Sequence, residues 1–217
     1  MLRVRVKEWF ICKKTNEDYG KVLVFWKENL ALLAVPKTGT TAIEHALAPH
    51  ASMAILDPPI LKHLPIYRYD RFLKPFFMKA ADKELETAAM LRNPVDWLGS
   101  WYKYRSRPEL DGLPNSTANM SFDDFVLEAV KGESAPFAHV GSQLKFLTNR
   151  DDTVGATHMF RYEDMPRYVE FLENRLSRKI ELPQVNVSPE RDLKLSVAVE
   201  EKLRRKWLEE FALWESV

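Results

Sequence analysis

Residues 32–47, with the sequence L-L-A-V-P-K-T-G-T-T-A-I-E-H-A-L, decide the fold of this chain. Residues 30–35 are apolar at every position, which is typical of a strand buried on both faces. A short loop that contains Lys37 and Gly39 follows, and residues 40–47 then have the pattern of a helix that ends near Pro49. A buried strand that runs through a short loop into a helix indicates an α/β architecture at this point.

Polar donors converge at this corner between strand and helix. The start of a helix presents free backbone N–H groups and the positive end of the helix dipole. Gly39 allows the backbone to curl closely around an anion, and Lys37 adds a positive charge. The sequence therefore predicts a cradle for phosphate or sulfate, formed by Pro36, Lys37, Thr38, Gly39, Thr40 and Thr41.

Two alternatives stay open for the same corner. It is also compatible with an ordinary strand–turn–helix connection in which a threonine caps the helix and the lysine faces water. A Walker A site for ATP or GTP needs a glycine, four residues, and then Gly-Lys-Ser/Thr. Here Lys37 comes before Gly39, and the next glycine upstream is Gly20. This order of residues disfavours a triphosphatase or kinase.

The rest of the chain continues the alternation of strands and helices. Further strands are predicted at residues 22–26, 87–91 and 156–161, with a tight turn at 27–29. Further helices are predicted from Pro94 to before Pro108, from Ser121 to Gly132, at 141–147, at 165–176 and from Ser196 onwards. This alternation predicts an α/β three-layer sandwich with a central, mainly parallel sheet, in a single domain over residues 1–217.

Composition narrows the class of protein. The chain has 217 residues and a net charge of +1, so nothing draws it as a whole to nucleic acid or to an anionic membrane. Cys12 is the only cysteine, which excludes an internal disulfide and a cysteine-based metal cage. The longest apolar run is far shorter than the roughly 20 residues that cross a bilayer. No signal-peptide pattern is present, so we expect a cytoplasmic protein.

A second candidate anion site follows the next core strand of the sequence. Residues 90–104 read M-L-R-N-P-V-D-W-L-G-S-W-Y-K-Y, with Arg92 at the strand end and Ser100 about two turns along the following helix. Ligands of open α/β sheets bind beyond the carboxyl ends of the strands, where Arg92 is expected. Its guanidinium group is a planar fork of donors that suits phosphate. The sequence thus predicts that Arg92 and Ser100 bind one anion.

Together the two motifs resemble those of the sulfotransferases that use 3′-phosphoadenosine-5′-phosphosulfate (PAPS). In that family a P-K-x-G-T-T loop binds the 5′-phosphosulfate group, and the residues that match it are Pro36, Lys37, Gly39, Thr40 and Thr41. The T-G-T-T form is more similar to the carbohydrate sulfotransferases, including those of heparan sulfate. The resemblance covers residues 30–104. It implies a P-loop-like sulfotransferase fold, PAPS as donor, 3′,5′-ADP (PAP) as product, no metal, and Arg92 and Ser100 on the 3′-phosphate.

The resemblance also implies catalytic roles. Lys37 is expected to stabilise the bridging oxygen of the donor as it becomes anionic, while an acceptor hydroxyl or amine attacks. The family takes its general base from the region between the two motifs, which favours His63, with Glu44 as the alternative carboxylate. Asn186 and Ser188 are candidates for a late loop that covers the nucleotide, although this departs from the Arg-Lys-Gly loop of the family's cytosolic members. The acceptor stays open, with carbohydrates among the candidates, and so do a divergent P-loop kinase and a nucleotide-binding module without catalysis.

Overall fold

The computed structural model describes residues 22–55, 57, 58, 61, 63–183 and 189–217. Cys12 lies outside the described residues, and so does the candidate late loop with Asn186 and Ser188. Among the helices within these ranges, none is both long enough and apolar enough to cross a membrane.

A five-stranded sheet forms the centre of the fold, with the strand order β3-β1-β2-β4-β5. The pairs β2–β4 and β4–β5 are parallel, whereas β1 is antiparallel to both β2 and β3. The α/β class is therefore confirmed, but the sheet is mixed and not mainly parallel as predicted. Its strands are β1 (Val22–Phe25), β2 (Leu30–Leu33), β3 (Met53–Ile55), β4 (Glu86–Leu91) and β5 (His158–Arg161).

The short connection between β1 and β2 explains the mixed sheet. Residues 26–29 form the turn, in which Asn29 has a positive φ of 56° and donates its N–H to the carbonyl of Trp26 at 3.4 Å. A parallel pair needs a crossover of a dozen or more residues, so neighbouring strands joined by a tight turn must be antiparallel. The predicted turn at 27–29 already required this hairpin.

The helices that the sequence predicts occur in the predicted order along the chain, whereas the helical segments between β3 and β4 were not predicted. α1 (Thr40–Leu47) and α7 (Met165–Leu176) have the predicted bounds. Between β3 and β4, α2 (Ile66–Arg68) continues through a π-helical turn (Tyr69–Leu73) into α3 (Lys74–Ala81). The other helices are α4 (Pro94–Arg105), α5 (Phe122–Ala129), α6 (Gln143–Leu147), α8 (Val197–Lys206) and α9 (Leu208–Glu215).

Helices cover both faces of the sheet because successive strand residues point to opposite sides. Leu23 and Leu32 pack in one apolar cluster with residues of α1 and α7. Val24 and Leu33 pack in another, with residues of α2, α3, α6 and α9. A third cluster contains no strand residue and joins α4, α5 and α8. The alternation of buried side chains along each strand thus produces the layered arrangement.

Local capping signals set the starts of α4 and α5. The side-chain oxygen of Asn93 accepts the N–H of Val95 at 2.9 Å, and Pro94 is the first helical residue, as predicted. Ser121 Oγ accepts the N–H of Asp124 at 3.1 Å, and the carboxylate of Asp124 accepts the N–H of Ser121. The predicted capping box is confirmed.

The last predicted helix is interrupted at Trp207. The sequence predicts one helix from Ser196, but Trp207 has φ −113° and ψ 34° and separates α8 from α9. Its ring lies 6.2 Å from the ring of Trp97. Because the helix is interrupted, Phe211 packs in the α4–α5–α8 cluster, whereas Leu213 packs in the cluster that contains Val24 and Leu33. Tertiary packing therefore overrides a helical pattern that is continuous in the sequence.

Candidate functional site

The two predicted anion-binding motifs leave the sheet side by side. β2 and β4 are parallel neighbours, and Leu33 pairs with Ala89. If this register continues for two more residues along each strand, Val35 lies beside Leu91 at the carboxyl ends. Pro36 and Arg92 are the next residues of the two strand extensions. The loop after β2 and the arginine after β4 therefore start from one edge of the sheet, where ligands of α/β sheets bind.

The loop between β2 and α1 is tightly curled. Lys37 and Gly39 both have positive φ values, 66° and 75°, which is an uncommon conformation for a lysine. Between them Thr38 is fully buried, and its hydroxyl donates to the carbonyl of Val35 at 2.9 Å. The hydroxyl of Thr38 is thus used inside the loop. The residue that precedes α1 is Gly39 and not a threonine, so a threonine cap does not explain this corner.

A close contact with Tyr162 explains the glycine at position 39. A Cβ atom on Gly39 would lie 2.7 Å from Cε2 of Tyr162 and 3.3 Å from the methyl carbon of Met165. Such a separation from a ring carbon is far below van der Waals contact, and the positive φ also disfavours any residue with a side chain. Gly39 therefore lets the loop approach the chain segment that follows β5.

Arg92 also contacts the ring of Tyr162. Its guanidinium carbon is 4.4 Å from the centroid of the Tyr162 ring, a cation–π distance. Because Tyr162 contacts both Gly39 and Arg92, the loop at 36–41 and the arginine are brought together at one place. The Nε atom of Arg92 is buried and has no hydrogen-bond partner among the described residues. A buried donor of this kind requires an acceptor, and an anion would supply one.

The backbone of Arg92 is held by Gln143, at the start of α6. The N–H of Arg92 donates to Oε1 of Gln143 at 2.8 Å, and Nε2 of Gln143 donates to the carbonyl of Arg92 at 2.8 Å. Gln143 is only 2% exposed. Gln143 was not predicted as part of the site, because a polar side chain in a short helix does not indicate a partner elsewhere in the chain.

Glu210 of α9 supports the start of α6. Its carboxylate is largely buried and accepts the N–H of Leu144 at 3.1 Å. Burial raises the pKa of Glu210 above the ordinary value, although hydrogen bonds from residues 142–144 partly oppose this. The folded state therefore binds the proton more strongly than the unfolded state. The associated stability is fully present below the ordinary carboxyl pKa and is lost as the pH rises through the raised pKa.

We expect Glu210→Gln to remove the loss of stability at high pH, because the glutamine amide oxygen still accepts the N–H of Leu144 and carries no charge. The melting temperature of the variant should exceed that of wild type at pH 8, where the buried carboxylate is charged. At pH 4 the difference should disappear. Thermal unfolding from pH 4 to pH 8 measures this, with the exposed neighbour Glu209→Gln as control. An equal effect of the two substitutions would contradict the assignment to Glu210.

α4 carries Ser100 along the same edge. The indole N–H of Trp97 donates to the carbonyl of Pro36 at 2.7 Å, and Nζ of Lys37 lies 4.2 Å from the ring centroid of Tyr104. Ser100 is three residues after Trp97 and four before Tyr104, so the three side chains share one helix face. Ser100 therefore lies on the face of α4 that contacts the loop, as the prediction requires.

The amine of Lys37 lies in an aromatic and cationic environment. It is 5.8 Å from the ring of Trp101 and shares the ring of Tyr104 with the guanidinium group of Arg107, at 4.8 Å. Nε1 of Trp101 is a buried donor without a hydrogen-bond partner among the described residues. This is the second buried donor beside the loop that requires an acceptor. Two such donors and several positive charges make this edge of the sheet suitable for an anionic ligand.

Arg105 has a structural role within this environment. Its guanidinium group donates to three backbone carbonyls, those of Pro136, Phe137 and His139, at 2.6 to 3.0 Å. Burial lowers the pKa of Arg105 to about 10, so it stays charged at neutral pH. It also lies 5.1 Å from the ring of Trp101. These three bonds tie Arg105 to the backbone of residues 136–139, which gives it a structural role beside Trp101.

His63 lies beside the strand that leads into the loop. Its Nδ1 is 2.8 Å from the carbonyl oxygen of Ala34, two residues before Pro36. A carbonyl oxygen only accepts, so Nδ1 carries the proton and Nε2 is the basic nitrogen of the neutral ring. The same arrangement fixes the orientation of the imidazole. A general base at this position would therefore act through Nε2.

Glu44, the alternative base, lies in a different environment. It is 2% exposed in α1 and stands near Tyr168 of α7. Burial, and secondarily the charge of Glu44, raise the pKa of Tyr168. Tyr168 packs against Phe160 in the cluster between α1, α7 and the sheet. Glu44 therefore belongs to the interior of this layer, whereas His63 contacts the backbone at the end of β2.

The residues after β5 hold the C-terminal helix to this edge. Glu163 accepts the N–H of Asn93 at 2.8 Å and the indole N–H of Trp214 at 3.1 Å. Arg161 donates to the carbonyl of Trp214 at 3.1 Å. Both side chains are therefore occupied by structural contacts, and the residue of this segment that approaches both motifs is Tyr162.

Within the part of the chain that the structure describes, no group of three or more histidine, cysteine, aspartate or glutamate side chains is placed to hold a metal. The candidate site consists of the curled loop with Lys37, together with Arg92, Ser100 and His63, around one sheet edge.

In comparisons with protein families, with curated proteins and with solved structures, nothing matches this chain.

Proposed function

We propose that this protein is a sulfotransferase that moves a sulfuryl group from PAPS to a hydroxyl or amine of an unidentified acceptor, with carbohydrates among the candidates. One observation carries the proposal. Tyr162 contacts Gly39 of the loop and the guanidinium group of Arg92, so two separate anion-binding motifs lie at one edge of the sheet. A nucleotide with phosphate groups at both ends matches two such sites.

The residues present suit this ligand chemically. The first turn of α1 directs its free N–H groups toward the loop, which favours the 5′-phosphosulfate group beside residues 36–41. The buried donors Arg92 Nε and Trp101 Nε1 require acceptors, and phosphate oxygens are strong ones. We assign Arg92 and Ser100 to the 3′-phosphate. Because Thr38 uses its hydroxyl within the loop, only its backbone N–H is assigned to the phosphosulfate.

In the proposed reaction His63 and Lys37 act on opposite sides of the transferred group. Nε2 of His63 takes the proton of the acceptor hydroxyl, whose oxygen forms a bond to sulfur. The bond from sulfur to the 5′-phosphate oxygen breaks, and that oxygen keeps the electron pair. Lys37 stabilises the resulting negative charge, and the products are the sulfated acceptor and PAP. We propose no metal for this step and a cytoplasmic location for the protein.

Thermal unfolding with nucleotides tests the donor site. At about 100 times its dissociation constant, PAP should raise the melting temperature by roughly 5 to 10 °C, since that occupancy adds ~2.7 kcal/mol to the stability of the folded state. 5′-AMP, which lacks the 3′-phosphate, should have a smaller effect at the same concentration. ATP with Mg²⁺ should have little effect.

Three results would decide between the alternatives. Stabilisation by ATP with Mg²⁺ but not by PAP would favour a divergent kinase. Binding of PAP without transfer of radiolabelled sulfate to any compound of an acceptor library would favour a nucleotide-binding module without catalysis. No stabilisation by any of these nucleotides would contradict the proposal as a whole.

A further inference from the structure

We propose that Gln143 is a positioning residue that fixes the arginine of the phosphate site, Arg92. The inference rests on the proposed function, because that function assigns Arg92 to the 3′-phosphate. Gln143 acts through the backbone of Arg92 and is not itself assigned a contact with the ligand.

The geometry resembles one more step of sheet pairing. Within β4, backbone groups bond to β2 and β5, and the last residue pair of the β4–β5 ladder is Leu91 with Arg161. Arg92 follows directly, beyond the end of the strand. There the side-chain amide of Gln143 provides one acceptor and one donor, both at 2.8 Å, to the two polar backbone groups of Arg92. The amide therefore extends the ordered backbone by one residue, at the point where the side chain must be aimed.

The side chain of Arg92 has few other constraints. Its Nε has no hydrogen-bond partner among the described residues, and its guanidinium group lies over the face of Tyr162. A cation–π contact constrains the distance to the ring more than the direction of each N–H. A small rotation of the backbone at Arg92 would thus move the guanidinium group relative to the phosphate. Displacements of this size have large effects on binding and catalysis.

Gln143 is itself held rigidly. The hydroxyl of Ser142 accepts the N–H of Lys145 at 2.9 Å and caps α6, while Glu210 accepts the N–H of Leu144 at 3.1 Å. The side chain of Gln143 is buried between these contacts and Arg92. The position of Arg92 is therefore set by contacts that run from α9 through α6 to the edge of the sheet.

Calorimetry with two nucleotides tests this role. Gln143→Met keeps the length of the side chain and removes both hydrogen bonds. We expect it to weaken PAP binding by about tenfold, because both polar backbone groups of Arg92 lose their partners, and to change 5′-AMP binding by less than about twofold. If Gln143→Met does not fold, Gln143→Asn is used instead, because its side chain is one methylene shorter and its amide does not reach both backbone groups of Arg92. Arg92→Ala should show the same nucleotide pattern, and the double variant should lose little more than Arg92→Ala alone.

A matched control removes a different hydrogen bond of α6. Thr148→Val deletes the bond from Thr148 to the carbonyl of Leu144 at the other end of this helix, without contact with Arg92. It should leave the preference for PAP over 5′-AMP unchanged. An equal loss of both nucleotides in Gln143→Met, or an additive loss in the double variant, would overturn the positioning role. Failure of the proposed function differs from this, because wild type itself would then show no preference for PAP.

Discussion

Lys37→Met is expected to lower kcat by about 10²- to 10³-fold, the usual effect of removing one group that stabilises developing negative charge. The variant keeps a side chain of similar length and loses the positive charge. Its melting temperature should fall by roughly 2 to 8 °C and leave the fold intact, because the amine makes cation–π contacts with Trp101 and Tyr104 that are each worth about 0.5–1 kcal/mol. Transfer of radiolabelled sulfate at saturating PAPS, with an acceptor found by library screening, measures the effect.

Lys202, an exposed lysine of α8, provides the control. Lys202→Met removes one positive charge without a contact to the loop, so it should leave kcat unchanged. If Lys37→Met turns over at nearly the wild-type rate, Lys37 has no part in the chemical step. Parallel losses in both variants would indicate a general effect of net charge and would equally remove the assignment.

His63→Asn should also abolish most of the transfer activity. An asparagine amide donates from nearly the same position as Nδ1, so the bond to the carbonyl of Ala34 can be kept while the basic nitrogen is lost. We expect kcat to fall by about 10²- to 10⁴-fold, the range for loss of a general base, with PAP affinity within about twofold of wild type. Single-turnover measurements with bound PAPS separate the chemical step from binding.

Glu44→Gln distinguishes between His63 and Glu44 as the general base. The side chain of Glu44 lies in the layer between α1, α7 and the sheet, so its amide should alter stability more than kcat. Loss of turnover in Glu44→Gln with normal turnover in His63→Asn would transfer the role of the base to Glu44. Partial recovery of His63→Ala by added imidazole would provide independent support for His63.

Features of the fold that depend on near neighbours in the chain were predicted from the sequence. The bounds of α1 and α7 and the capping box at Ser121 depend on residues within a few positions of each other. The antiparallel pair β1–β2 follows from the predicted turn at 27–29, but the second antiparallel pair, β1–β3, was not predicted, because the pairing of non-consecutive strands depends on which distant strand lies alongside. The interruption at Trp207 likewise depends on packing against α4, which no periodicity reveals.

The candidate site divides in the same way. The loop at 36–41 and Arg92 were identified because each stands where a strand ends, and their common sheet edge follows from the parallel pairing of β2 and β4. Gln143 was missed because its partner is distant in sequence and its local pattern is that of any polar helix residue. The use of the Thr38 hydroxyl within the loop depends on backbone geometry that composition does not contain.

The ring of Tyr162 makes two distant positions of the chain interdependent. It occupies the space that a side chain at position 39 would need, and it also carries the guanidinium group of Arg92 on its face. Any enlargement of residue 39 displaces the ring and so shifts the arginine, even though the two residues do not need to touch. Neither half of the site can therefore evolve or be redesigned alone, and inherited changes at 39, 92 and 162 should occur as a set.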